Sequence, residues 1–200
     1  ALWQMWQQLK PDNNSHLHVI SVEKFPLSKD DLIRALNVWS ELKPFADQLI
    51  AQYPLPLAGC HRLNFPEHRF SIDLWFGDAH DVFPQMIKTT TVNAWFLDGF
   101  APSCNPDLWE ESVLKHIVHL SGYGTTFSSF SVAGVVKRGL GDQGITVSRP
   151  RGFKHKREML KAIWNTPENN HESVMGDFRV GNGSTPAHKF KQRHIAIIGA

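Results

Sequence analysis

"RFSIDLWFGDAHDVFPQMIKTTTVNAWFLDGF", residues 69–100, decides the fold class. Phe70, Ile72, Leu74 and Phe76 alternate with Ser71, Asp73 and Trp75, the two-residue period of a strand. The strand stops at Gly77-Asp78. A short helix is expected over about Ala79 to Ile87, and Val92 to Leu97 reads as a second, buried strand. Strand, helix, strand is the repeating unit of an α/β sheet. Asp78 and Asp98 then fall at the carboxyl ends of their strands, where such sheets bind ligands.

Upstream, "HLHVISVEKFP", residues 16–26, predicts a buried strand from His18 to Val22 that ends at Glu23 and Lys24. Ser28 reads as a helix N-cap, with Asp31 three residues on. Leu32, Leu36, Trp39 and Leu42 form an apolar stripe at helical spacing. Pro44 is expected to break that helix before a second one runs to about Gln52. Residues 62–78 read as two strands about a turn at Pro66–Arg69. Downstream, a helix over Pro106 to Leu120 carries Trp109, Val113, Ile117 and Leu120 on one face. Gly122-Tyr123-Gly124 is expected to turn the chain into a strand over Thr125 to Phe130. A helix over Ser131 to Leu140 follows, then strands at Ile145–Arg149 and Met159–Trp164. The class is therefore α/β with a mostly parallel sheet and helices on both faces. Glu23, Asp78 and Asp98 end three different strands, a rim of acids suited to hydroxyls, an exocyclic amine or a cation.

Residues 165–193 are rich in Asn, Gly, Ser, Thr and Pro without a sustained period, as a linker would be. "HIAIIGA", residues 194–200, is an apolar run into Gly199. It reads as the opening strand of a dinucleotide-binding unit or as a final edge strand of the first domain. The expected organisation is a domain over 1–164, a linker over 165–193 and the start of another domain at 194–200. Ala1 in place of a starting Met suggests that the sequence opens inside a longer protein.

The chain has 200 residues and a net charge of +2 with its eleven His neutral, so an anionic partner must be met by a local patch. No apolar stretch approaches the roughly 20 residues that span a bilayer. Cys60 and Cys104 form no CxxC pair, and both read as thiols in a reducing compartment, which favours the cytoplasm. The His are scattered without an HExxH, so no metal site is expected.

"SVEKFP", "IDLWFGD", "AWFLDGFAPSCNPDLW", "SVAGVVKRGL" and "GFKHKREML" together resemble one family over about residues 1–164. They are similar to the S-adenosylmethionine-dependent methyltransferase domain of the bacterial bifunctional enzymes that complete 5-methylaminomethyl-2-thiouridine at the tRNA wobble position. The resemblance implies a Rossmann-like methyltransferase fold, a connector, and an FAD-binding oxidoreductase domain opening at a strand like "HIAIIGA". It implies two reactions in the whole enzyme. The FAD domain removes a carboxymethyl group to leave a primary amine, and the methyltransferase domain methylates that amine. It also implies a first strand and a Gly-rich cofactor loop ahead of Ala1, so weak S-adenosylmethionine binding is expected of residues 1–200 alone. The family tends to have Pro-Gly-Gly where this chain has Gly122-Tyr123-Gly124, and that turn is expected to survive.

On this reading Glu23 accepts the cofactor's ribose hydroxyls; the alternative is a solvated acid paired with Lys24. Asp78 accepts from the adenine amine, or caps the helix that follows it. Asp98 is the candidate catalytic acid, acting by orienting the amine or by accepting a proton; the alternative is a structural turn acid. Phe100 and Pro102 wall the pocket. In "RPRGFKHKRE", residues 149–158, Arg151, Lys154, Lys156 and Arg157 read as a tRNA phosphate-binding face, with Arg149, Lys137 and Arg138 beside it. The bland reading is a solvated charge run. The rival functions are a small-molecule amine methyltransferase, a non-catalytic RNA-binding module, and an NAD(P)- or FAD-dependent oxidoreductase. The last lacks its Gly-rich loop and paired acid within residues 1–193.

Overall fold

The computed structural model describes residues 1–9, 14–86, 91–99, 104–130, 132, 134–152, 157–165 and 192–198. The expectations for Phe100, Pro102, Lys154 and Lys156, and for nearly all of the linker, lie outside these residues.

The order of elements is α1 (Leu2–Leu9), β1 (His16–Glu23), α2 (Lys29–Leu36), α3 (Lys43–Gln52), β2 (Gly59–Phe65), β3 (Phe70–Phe76), α4 (Ala79–Val82), β4 (Val92–Leu97), α5 (Glu111–His119), β5 (Ser121–Ser129), α6 (Gly134–Gly141), β6 (Thr146–Ser148), β7 (Leu160–Ile163) and β8 (Gln192–Ile198). One eight-stranded sheet runs β2-β3-β1-β8-β4-β5-β7-β6. Its middle, β3-β1-β8-β4-β5, is parallel throughout. β2 adds antiparallel at one edge, and β7 and β6 pair antiparallel at the other.

Strand β8 was expected to open a second domain or to form a sheet edge. In this sheet it lies at the centre, Val19 and Ala94 both pairing with Ile195. An unbroken apolar run suits any interior parallel strand, so composition does not say which sheet it joins.

Two apolar cores lie on opposite faces. Leu17, Val19, Phe70, Leu74 and Phe76 point to one, where Trp3 of α1 and Phe45 and Leu49 of α3 cover them. Trp3 stacks on Phe70 at 4.8 Å between ring centroids. Val22, Trp95, Leu97 and Phe127 point the other way, under Ala79 and Val82 of α4, Val113 and Ile117 of α5, and Val136 and Leu140 of α6. Parallel strands need cover on both sides, which is why helices flank the sheet twice. On the α1 side, the stretch over β4 and β7 leaves Phe96 and Ile163 each 40% exposed.

Local chemistry explains most boundaries. Ser28 caps α2, its hydroxyl accepting from the Asp31 N–H at 3.2 Å. The apolar stripe does not carry α2 on to Trp39, which is 53% exposed; the helix ends at Leu36. Pro44 sits in the first turn of α3 and starts that helix, because its missing N–H is unneeded there. Arg69 takes the left-handed conformation (φ 50°) that closes the β2–β3 hairpin.

The turn expected at Gly122-Tyr123-Gly124 survives only as an irregularity within a strand. Gly122-Tyr123-Gly124 is part of β5, which begins at Ser121. The Ser121 hydroxyl accepts from Trp95 Nε1 and donates to the Ile117 carbonyl, both at 2.7 Å. That anchor pairs Ser121 with Val92; the register then shifts at the glycines, Gly124 taking φ 86°, and regular pairing with β4 resumes at Ala94 and Thr126.

Candidate active site

The carboxyl ends of β1, β3 and β4 face one edge of the sheet because the three strands run parallel. Glu23 is the last residue of β1, Asp78 follows β3 by two residues, and Asp98 directly follows β4. The first two strand ends are tied by the Gly77 N–H, which donates to the Glu23 carbonyl at 3.0 Å. The rim of acids expected from the sequence therefore exists as a spatial feature.

The three acids differ in environment. Glu23 is half-buried and accepts from the Ser21 hydroxyl at 3.2 Å. Burial pushes its carboxyl above the ordinary range and the negative charge of Asp98 pushes the same way, with the Ser21 bond opposing them. Asp78 is held below its ordinary value, first by the hydrogen bond from Lys24 and also by the His80 N–H. Asp98 is exposed.

Of the two roles suggested for Asp78, the capping role is visible directly. Oδ1 accepts from the His80 N–H at 2.9 Å, capping α4. Oδ2 lies 2.7 Å from Lys24 Nζ. The alternative for Glu23, an ion pair with Lys24, is not what forms. Lys24 lies in the bend just past the end of β1 and reaches across to the next strand end.

Between these strand ends lies an open cleft of about 280 Å³, lined by Lys24, Asp78, Ala79, Asn105, Asp107 and Leu108. The chain after Asp98 is brought back to it by His80. Its Nε2 donates to the Asp107 carbonyl at 3.1 Å, and its Nδ1 lies 3.4 Å from the Ser112 hydroxyl. His80, Asn105 and Leu108 were not singled out from the sequence, and Lys24 was read only as a partner for Glu23. The "EKFP" and "NPDLW" strings held three of them, but their convergence depends on strand order. A second, apolar cavity of about 190 Å³ lies beneath the Asp98 corner, among Leu97, Leu108, Trp109, Leu114 and Ile117.

The basic segment joins β6 to β7 on the same edge of the sheet, beyond β5, where Ser129 pairs with Leu160 and Ser148 with Lys161. Arg151 and Arg157 are both exposed on a small antiparallel turn, in which Arg151 pairs with Glu158 and the Gly152 N–H donates to the Arg157 carbonyl at 3.3 Å. Arg149 reaches the Val132 carbonyl at 3.4 Å.

A family model of S-adenosyl-L-methionine-dependent methyltransferases matches residues 40–165, more than half of the chain. The chain belongs to this methyltransferase family. The match takes in Asp78 and Asp98, while Glu23 lies ahead of it. The chain is 66% identical over 200 residues to the tRNA 5-methylaminomethyl-2-thiouridine biosynthesis bifunctional protein MnmC of Acinetobacter baylyi, covering all of this chain and 31% of that protein. It is 48% identical over 155 residues to the protein of the same name from Pseudoalteromonas atlantica, covering 76% of this chain and 22% of the relative. The chain thus spans about a third or less of the length of these relatives. Among solved structures it is similar to MNMC2 from Aquifex aeolicus, with a TM-score of 0.54 and 18% identity over 83% of this chain and 57% of that one. At that identity the likeness concerns the methyltransferase fold, which agrees with the α/β class expected. Among the described residues no helix is long and apolar enough to cross a membrane.

Proposed function

We propose that this methyltransferase domain transfers a methyl group from S-adenosylmethionine to the primary amine of 5-aminomethyl-2-thiouridine at the tRNA wobble position. The observation that carries the reading is the placement of three acids at the carboxyl ends of three parallel strands of a methyltransferase sheet, Glu23 within reach of the charge of Asp98 and Asp78 lining the adjoining cleft. The high identity to relatives named for this tRNA modification supports the substrate.

The residues present fit an adenosyl group. Glu23, half-buried, offers oxygens to the ribose hydroxyls. Asp78, kept ionised, offers an acceptor to the adenine amine. Val22 and Leu108 supply apolar surface near the ring. When bound, S-adenosylmethionine supplies the methyl group on a sulfonium.

Asp98 acts on the amine. The nitrogen must arrive neutral, since its lone pair forms the new bond, and it becomes cationic as that bond forms. An exposed carboxylate accepts the amine's N–H, aligns its lone pair and takes up the proton released. Arg151, Lys154, Lys156 and Arg157 hold tRNA phosphates. In the longer protein an FAD-dependent domain removes the carboxymethyl group and delivers the amine. Exposed Cys60 and Cys104, neither in a disulfide, suit a cytoplasmic enzyme.

The deciding measurement is mass spectrometry of nucleosides from tRNA incubated with S-adenosylmethionine and the full-length protein. A methyl group is expected on the wobble uridine side chain and is strongly reduced by Asp98→Asn. Methylation of free amines but not of tRNA would favour a small-molecule methyltransferase instead.

A further inference from the structure

We infer that Lys24 is a positioning residue, which aims the Asp78 carboxylate at the cofactor's base; this rests on the methyl-transfer reading above. Lys24 and Asp78 follow adjacent parallel strands, and both line the same cleft. The ammonium lies 2.7 Å from Oδ2. The other oxygen, Oδ1, is fixed at 2.9 Å by the backbone N–H of His80. Two donors from two directions therefore set the plane of the carboxylate. An ionised carboxylate has about four lone-pair sites, so this arrangement leaves acceptor capacity in a fixed direction.

An ordinary surface ion pair contributes little, because both side chains are solvated and floppy. This pair differs in two respects. Asp78 is only 26% exposed, and its backbone is tied to α4 by the cap. Lys24 also feels Asp107 and Asp81 beyond its bond to Asp78, and these carboxylates hold the ammonium in its charged form. Lys24 Nζ lies 5.8 Å from the Phe25 ring centroid, a further attraction for a cation. The pair bridges the cleft between two strand ends, so its geometry is transmitted to whatever binds there. A purine with an exocyclic amine is recognised by an acceptor of fixed direction, and one without that amine gains nothing from it.

The test compares two ligands on the full-length protein by calorimetry: S-adenosylhomocysteine, and its analogue with hydrogen in place of the 6-amino group. Lys24→Met keeps the stem and removes the charge. It is expected to weaken the adenosyl compound about tenfold, the weight of one hydrogen bond to a charged group, and to leave the analogue within about twofold. Lys24→Arg is expected to recover most of the loss. Equal weakening of both ligands by Lys24→Met overturns the inference, since a structural role predicts that result, and so does no change in either. Unmodified protein that binds neither compound overturns the methyl-transfer reading itself and this inference with it.

Discussion

Glu23 feels the charge of Asp98 although the strands they terminate, β1 and β4, are separated by β8. Burial and that charge both raise the Glu23 carboxyl, whereas Lys24 and the His80 N–H lower Asp78. The two acids assigned to the cofactor therefore titrate in different ranges.

Cofactor binding should weaken as pH falls through the raised Glu23 value, while Asp78 remains ionised. A protonated Glu23 loses acceptor capacity toward two ribose hydroxyls. Titrating S-adenosylhomocysteine by calorimetry across mildly acidic pH should show this limb. Glu23→Gln should bind more weakly at neutral pH and lose the limb, whereas Asp78→Asn should bind more weakly but keep it. A limb that persists in Glu23→Gln assigns it to another group.

Gly99 adjoins Leu108, which lines both the cleft and the apolar cavity under the corner. A Cβ at position 99 would overlap Leu108 Cδ2 and approach Trp109 to 3.4 Å. Leu108 is flexible enough to move, so Gly99→Ala should cost only about 1 kcal/mol of stability. Its larger effect should be on the cleft that Leu108 shapes. Affinity for S-adenosylhomocysteine should drop several-fold while the melting temperature shifts little. Unchanged affinity would separate Leu108 from cofactor binding.

Much of this was legible in the residues. β4 was read to both its ends because an apolar run lay between a Thr tract and Asp-Gly. Ser28 declared its helix by a cap, and Pro66–Arg69 declared the hairpin. The rim acids followed from parallel strands alone. What stayed hidden were partners across strands. Asp73 alternates with apolar residues as an outward-facing acid would, yet it is buried by the sheet's second core face and held by His18 and Arg62. Ser121 looked like the edge of a glycine turn until Trp95 supplied its donor. Lys24 reads as the partner of Glu23 in sequence and is that of Asp78 in space. Each case needs strand order, which no local pattern encodes.

The Asp73 cluster makes its own prediction. Its carboxylate takes a bidentate bond from Arg62 at 2.6 and 2.7 Å and lies 3.2 Å from His18 Nε2, while His18 Nδ1 meets the Ser71 hydroxyl at 2.8 Å. Burial alone would raise Asp73, but Arg62 and His18 outweigh it and hold it at about 2, below the ordinary 3.8. A carboxyl depressed by folding contributes stability that is present above its ordinary value and lost as pH falls through the folded one. The difference is on the order of 2 kcal/mol. Arg62→Met should raise the Asp73 value and destabilise at neutral pH by about 2–3 kcal/mol. Acid unfolding followed by circular dichroism should then occur at higher pH than in the unmodified protein.

Trp95 tests the packing that holds β4, and hence Asp98, in place. It is 1% exposed and meets Phe83 edge-on, with ring centroids 6.0 Å apart. Trp95→Phe removes ring volume and the donor to Ser121, and should cost about 2–4 kcal/mol. Ser121→Ala removes the acceptor and orphans the Trp95 N–H in the core, at about 1–3 kcal/mol. In the double variant neither orphan remains, so the summed single losses should exceed the double loss by about 1 kcal/mol in urea unfolding. Additive losses would mean that ring volume alone anchors the strand.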